Sequence, residues 1–364
     1  MEFGWTEEQQ RLRAEAAEVA ADAVARFGWH PDSWINGFST AFAKEMAARG
    51  WIGLTWPPEH GGGGRPGIDR MIVAEELISA GAPVGAYWVA DRQMGPSIIA
   101  FGTPEQQARY LPSILAGETV WCIGMSEPGA GSDLASLRTS ARRDGDSWMV
   151  NGQKIWTSFA AVADYCYLIC RTSSDGPSHA GISELIVPMD SPGVEVRPIR
   201  DLVGGAHFCE VFFSDVRVPA ANLVGLEGAA FKQTMRQLDH ERGGIDRLAS
   251  NQALFRRAVE HADTGIPLIR QEIAALEAQY RLGRLLVYRE SLGQAPKGFS
   301  AATKCFCTEH EIRVANFVGR VFPDTVLAGD AARAVCYAPA YTIMGGTSNV
   351  LRNVVAERLL GLPR

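Results

Sequence analysis

The alternation of apolar and polar positions changes character twice along these 364 residues. From residue 5 to about 115 the spacing is helical: the Ala-rich stretch QRLRAEAAEVAADAVARF repeats apolar residues every three or four positions. In front of it, TEEQ at Thr6 to Gln9 has the form of a capping box. A proline and glycine run, WPPEHGGGGRPG, interrupts this part before helical spacing resumes in DRMIVAEELISAGAP.

From about 119 to 220 the pattern turns to short β-branched and aromatic runs, TVWCIGM, SWMV, DYCYLICRT, SELIVPM, VEVRPI and CEVFFSDVRV. Asp144-Gly145 and Asn151-Gly152 bracket DSWMV and are read as hairpin turns, which makes this part a small antiparallel β unit. After NLVGLEG the spacing is helical again until Gly361 and Pro363 stop the last helix. The expected class is α+β, in three parts: 1–117, 118–226 and 227–364.

Composition narrows the possibilities. A net charge of -6 with no dense Lys/Arg cluster argues against a nucleic-acid footprint and against a polybasic membrane surface. No apolar run approaches ~20 residues, so membrane insertion is not expected and a cytoplasmic location is. The seven cysteines form no CxxC pair and several sit in apolar runs such as YCYLIC; reduced core thiols are expected, without metal or disulfide roles.

Two stretches carry candidate chemistry. EPGAGSD offers backbone amides free of side-chain hindrance, with hydroxyls from Ser126 and Ser132 beside it, although any glycine-rich turn does as much. In FKQTMRQLDHERGGIDRLASN, the residues Phe231, Met235, Leu238, Ile245 and Leu248 follow a helical stripe. Glu241 falls three after Leu238 and four before Ile245, placing a carboxylate on the apolar face. Desolvation there raises a carboxyl's pKa toward the range of a general base, and the alternative is a buried Glu paired with Arg242 or Arg247 for structure alone.

Taken with the α, β, α order, four motifs resemble the acyl-CoA dehydrogenase family over essentially the whole chain. They are GMSEPGAGSD, NGQKIWTS, FFSDVRVPAANLVG and the terminal RNVVAERLLGLPR. The resemblance implies an N-terminal helical domain, a middle antiparallel β-domain, a C-terminal four-helix bundle, and FAD as cofactor. It assigns Ile123, Met125, Ser126, Gly131, Ser132, Trp156, Thr157, Ser158, Thr347 and Asn349 to the flavin, with Trp156 as a flat wall and Ser158 near flavin N5. Ser132, Asp239, Arg242 and Gly346 fall to the substrate.

The chain departs from the family pattern in two ways. In MGGTSNVLRN the family's loop carboxylate is replaced by Gly345, which cannot take a proton. A family branch that handles branched or bulky acyl groups keeps its base on the preceding helix in an ER context, which implies Glu241 as the base. The second departure is the lack of the RxxFG and QxxGGxG stretches that reach a neighbour's FAD in family homotetramers. Two copies of this chain would then leave the FAD diphosphate short of charge-assisted hydrogen bonds of about 1.5 to 3 kcal/mol each.

A paralogous acyl-CoA dehydrogenase subunit in an α2β2 assembly is therefore the expected partner, as in similar actinobacterial enzymes for steroid-derived thioesters. The implied reaction converts an acyl-CoA to a trans-2-enoyl-CoA and delivers electrons to an electron-transfer flavoprotein. A non-catalytic scaffold subunit is the competing reading, and an oxidase that uses oxygen directly is a third.

Overall fold

The computed structural model of the chain describes residues 4–234, 244–325 and 328–363. The principal helices are α1 (Glu7–Phe27), α2 (Gly67–Ala80), α3 (Pro104–Leu115), α4 (Gln252–His261), α5 (Pro267–Ser291), α6 (Phe299–Val321), α7 (Gly329–Tyr341) and α8 (Ser348–Val354). Between α3 and α4 lie strands β1 (Trp121–Gly124), β2 (Ser140–Asp144), β3 (Ser147–Ser158), β4 (Tyr165–Arg171), β5 (Ile182–Pro188), β6 (Val194–Ile199), β7 (Phe208–Pro219) and β8 (Leu223–Val224). The α+β class and the α, β, α order expected from the sequence both hold. Among the described residues no helix is long and apolar enough to cross a membrane.

The chain divides into two compact units. One gathers Met1–Phe42, Arg65–Gly85 and Asp239–Arg364, over their described residues. Its first helix starts where the capping box stands: Thr6 Oγ1 accepts from the Gln9 amide at 3.2 Å, and the Gln9 side chain accepts from the Thr6 amide at 3.2 Å. Leu12, Ala16, Val19, Ala20 and Ala23 form its buried stripe, and Gly28 at φ 86° stops it. α6 is the central helix of this unit, packed by α4, α5, α7 and α8, and it buries polar as well as apolar side chains.

The other unit takes in Ala43–Gly64 and Ala86–Leu238, again over its described residues, and is built on an eight-stranded sheet. The strand order is β6-β7-β3-β2-β4-β5-β8, with β1 added beside β4. β1 runs parallel to β4, because the β2–β3 hairpin intervenes between them along the chain, and β2 meets β4 through one parallel bridge. The remaining pairings are antiparallel. Its core is lined by Cys122, Trp148, Val150, Cys166, Leu168, Cys170, Cys209 and Val211 among others.

One of the two expected turns is a turn and the other is not. Asp144 pairs with Ser147 across Gly145-Asp146, and Gly145 takes φ 61°. Asn151-Gly152 instead lies inside β3, at a register shift against β7. The Asn151 side chain accepts from the Asp215 amide at 2.9 Å and donates to its carboxylate at 3.0 Å, so it pairs across the sheet and turns no corner. Glycine follows because at φ 148° a Cβ would stand 2.5 Å from Thr139 Oγ1.

Candidate active site

In the sheet unit, the loop of the GMSEPGAGSD motif, residues 125–133 and here the signature loop, leaves the end of β1 and is clamped from below. Lys154 of β3 is fully buried, and its Nζ donates to the Met125 carbonyl at 3.0 Å and to Glu127 Oε1 at 2.8 Å. The Glu127 carboxylate also accepts the amides of Arg138 at 2.7 Å and Thr139 at 2.8 Å. Burial alone would raise the Glu127 pKa, but the Lys154 charge and these donors hold it below the ordinary carboxylate value. Above the clamp, Glu127 and Ala130 exchange backbone hydrogen bonds, turning Pro128, Gly129, Gly131 and Ser132 outward. A Cβ on Gly129 or Gly131 would meet nothing within 4 Å, so the loop's outer face is open to a ligand.

The wall beside this loop is made by a second irregularity of β3. Its register against β7 shifts between Lys154 and Thr157, and the Ile155 amide bonds instead to the Ser126 carbonyl at 2.9 Å. Trp156 takes φ 61°, a conformation that costs a non-glycine residue roughly 1–3 kcal/mol, and Phe159 three residues on takes φ 63°. The bulge turns the Trp156 indole out to 55% exposure, braced edge-on by Phe208 at 5.9 Å between ring centres. Thr157 turns inward, 1% exposed, and its Oγ1 is a buried polar atom with no hydrogen-bond partner. An exposed flat ring held by strained backbone, an unpartnered hydroxyl and half-buried Ile123, Met125, Ser126 and Ser158 are a donor set suited to a flavin ring.

The same unit contains the approach to the segment with the expected base. Helical residues 230–234 are fastened to β5: Glu184, 1% exposed, accepts from Tyr167 Oη at 2.8 Å, Gln233 Nε2 at 2.7 Å and Thr234 Oγ1 at 2.9 Å. Burial raises the Glu184 pKa. Asp239, Glu241 and Arg242 themselves lie outside the described residues.

In the helical unit, Gly346, Thr347 and Asn349 come together at the entry to α8. Thr347 is its N-cap, accepting from the Val350 amide at 3.3 Å, and Asn349 is exposed. The loop before it is pinned by Lys304 of α6, which is buried and donates to the carbonyls of Tyr341 at 2.8 Å and Gly346 at 2.9 Å. Gly345 has φ 66° and Gly346 φ 94°. A side chain at 345 would have to adopt a left-handed backbone, so the absence of a carboxylate here goes with a loop shaped for glycine. After the undescribed segment, Ile245 and Leu248 are buried as their stripe required, and the Arg247 guanidinium stacks on Trp34 at 4.6 Å.

Four residues escaped the sequence reading: Glu127, Lys154, Glu184 and Lys304. Lys154 and Glu127 sit inside the quoted motifs, and their pairing was available as a hint that the two motifs touch. Nothing in the spacing around Lys304 or Glu184 distinguishes them from surface charges.

Comparison with known proteins agrees with this geometry. Family models described as acyl-CoA dehydrogenase N-terminal, middle and C-terminal domains match residues 6–118, 122–216 and 228–360. The acyl-CoA dehydrogenase IpdE1 of Mycobacterium tuberculosis is 38% identical over 341 residues, 89% of this chain and 88% of that protein. Two solved structures, a Tcur3481-Tcur3483 steroid ACAD and the ChsE4-ChsE5 complex from Mycobacterium tuberculosis, are each 34% identical. Each covers the whole of both chains, with TM-scores of 0.90 and 0.88. The chain therefore belongs to the acyl-CoA dehydrogenase family and is an oxidoreductase acting on acyl-CoA.

Proposed function

We propose that this chain is one subunit of a heteromeric, FAD-dependent acyl-CoA dehydrogenase that desaturates a bulky or branched, steroid-derived acyl-CoA to its trans-2-enoyl-CoA. The domains keep the boundaries 1–117, 118–226 and 227–364. The observation that carries the reading is the wall at Trp156 and Thr157, where backbone strain and an unpartnered buried hydroxyl stand beside the open signature loop. FAD, when bound, supplies the two-electron acceptor for the β-hydrogen.

The chain's own residues do the rest. Glu241 takes the proton from the substrate's α-carbon, Asp239 and Arg242 face the CoA, and the amides and hydroxyls of Ser126, Ser132 and Thr347 hold polar edges of the ligands. With glycine at 345 in place of the loop carboxylate, a branched acyl group gains room near its α-carbon. The missing cross-subunit motifs, and the two-protein make-up of the solved relatives Tcur3481-Tcur3483 and ChsE4-ChsE5, support a paralogous partner, most simply in an α2β2 assembly with one FAD per unlike pair. An electron-transfer flavoprotein is the acceptor, and the location is cytoplasmic.

The test is co-expression with a paralogue that has the two missing stretches, read by native mass, flavin content and flavin reduction by acyl-CoA. Glu241→Gln in that preparation should leave flavin absorbance intact and slow turnover by at least ~100-fold. Near-normal reduction by the variant would overturn the base assignment, and a homotetramer of this chain alone with one FAD per subunit would overturn the assembly.

A further inference from the structure

In the sheet unit, a π-turn at Ala90–Met94 runs directly into the helix Gly95–Phe101. An inserted residue of this kind re-aims the side chains of its turn and recurs at functional sites. One side of the turn is committed to packing. The Asp91 carboxylate accepts the Gly53 amide at 2.7 Å, and its backbone carbonyl accepts Trp56 Nε1 at 3.2 Å. Gly95, one turn on, lies so close to Trp56 that a Cβ there would collide with the indole. The side that carries Gln93 is uncommitted. This residue is 8% exposed, its Oε1 is a buried acceptor without a partner, and its side chain makes no hydrogen bond among the described residues. Leaving a buried acceptor unpaired destabilises the fold, so the group calls for a partner from outside the chain.

Where the amide points follows from its neighbours. Four residues on, Ser97 lies on the same helical face and stands against the Tyr167 hydroxyl. Tyr167 and Ile123 are register partners on β4 and β1, so both leave the sheet on the face turned away from the core of Cys166 and Leu168. On that face, one strand over, Glu184 accepts from Tyr167 and fastens Gln233 and Thr234, the described end of the stretch that leads to Glu241. Gln93 therefore stands about one helical turn, roughly 5–6 Å, from a polar seam that joins the expected flavin contact Ile123 to the approach of the expected base.

We propose that Gln93 is a specificity determinant whose amide hydrogen-bonds a hydroxyl on the acyl group, so that the substrate class is an acyl-CoA hydroxylated on its steroid-derived portion. This rests on the reading of the chain as an acyl-CoA dehydrogenase subunit with Glu241 as its base. A hydroxyl can donate to Oε1 and accept from Nε2, whereas an unsubstituted hydrocarbon leaves both unpaired. A site built to hydrogen-bond a hydroxyl rejects the analogue that lacks it far more strongly than an apolar pocket rejects an added one.

The test uses the flavin-loaded assembly and a matched set of probes: the CoA thioester of cholanic acid, and those of its monohydroxylated derivatives with the hydroxyl on the first, second or third ring. In wild type, kcat/KM for one hydroxylated thioester should exceed that for the parent at least tenfold. Gln93→Leu should erase that preference, chiefly by raising KM for the hydroxylated thioester. Its denaturation midpoint without ligand should stay equal or rise, since an apolar group of similar shape then replaces an unpaired buried amide. A residue kept for structure alone would give the reverse, a lowered midpoint with the preference unmoved, and that result would overturn the proposal. So would a wild type that prefers the parent thioester or does not discriminate. Equilibrium binding of the same thioesters to the Glu241→Gln assembly, read from the flavin spectrum, separates this proposal from the reading beneath it. A hydroxyl preference in binding, with turnover undiminished in Glu241→Gln, would count against the base alone. Glu241-dependent turnover with equal preferences in wild type and Gln93→Leu would count against Gln93 alone.

Discussion

One loop in each unit carries expected site residues and is held by a buried lysine, and the two lysines hold their loops in different ways. Lys154 grips the signature loop through a carbonyl and the Glu127 carboxylate, and that loop keeps the family's sequence. Lys304 grips the loop of Gly345 through the carbonyls of Tyr341 and Gly346, and that loop displays glycine at 345 and 346. A backbone path fixed through carbonyls holds its shape without any help from a side chain at 345, and its positive φ there favours glycine. The signature loop has less freedom, because Glu127 is both part of the motif and part of the clamp.

The comparison can be broken by removing each lysine. Lys154→Met leaves Glu127 buried without its cation and should cost about 3 kcal/mol or more, read as a lowered denaturation midpoint with altered Trp156 fluorescence. Lys304→Met leaves two carbonyls without a donor and should cost less, about 1–3 kcal/mol, with faster hydrogen exchange at the Ser348 amide that now bonds to Thr342. Equal costs would mean that the carboxylate adds nothing to the first clamp.

Acid should sharpen the contrast with a smaller effect. The Glu127 carboxyl is held below its ordinary value in the folded chain, chiefly by Lys154 acting against burial, so its contribution to stability is complete above the ordinary carboxylate range. It is lost as pH falls through the folded value. Carbonyls do not titrate there. The stability gap between wild type and Lys154→Met should therefore narrow in acid, while the gap to Lys304→Met holds. Denaturant titrations of the three proteins at neutral and acid pH would measure both gaps.

Much of the fold was legible in the sequence. Thr6 with Gln9 announced the first helix, and the switch from helical spacing to short β-branched runs placed the sheet. What escaped was set by β3. Counting by twos from Trp148 and Val150, both buried, puts Trp156 inside and Thr157 outside. The shift between Val150 and Gly152 leaves that count intact, since Lys154 is still buried, but the shift between Lys154 and Thr157 puts an extra residue into β3, and the reverse is found. Periodicity carries no mark of a bulge, and Asn-Gly reads as a turn unless a partner strand is known to accept the Asn side chain. The lysine clamps were hidden for a related reason: burial of a cation is decided by carbonyls and carboxylates distant in sequence. For the base, the spacing around Glu241 marked an apolar face, and the described residues stop short of it on both sides.

The cysteines have a consequence of a different kind. Cys122, Cys166, Cys170 and Cys209 are sealed in the sheet, Cys305 and Cys307 in α6, and Cys336 is exposed. Burial pushes the Cys170 thiol up to about 12 and the Cys307 thiol well above its usual value, so neither offers a thiolate while its core is packed. A thiol reagent thus meets Cys336 first and the others only as each core opens. The chain contains its own clock for unfolding, with four chimes in the sheet and two in the helices.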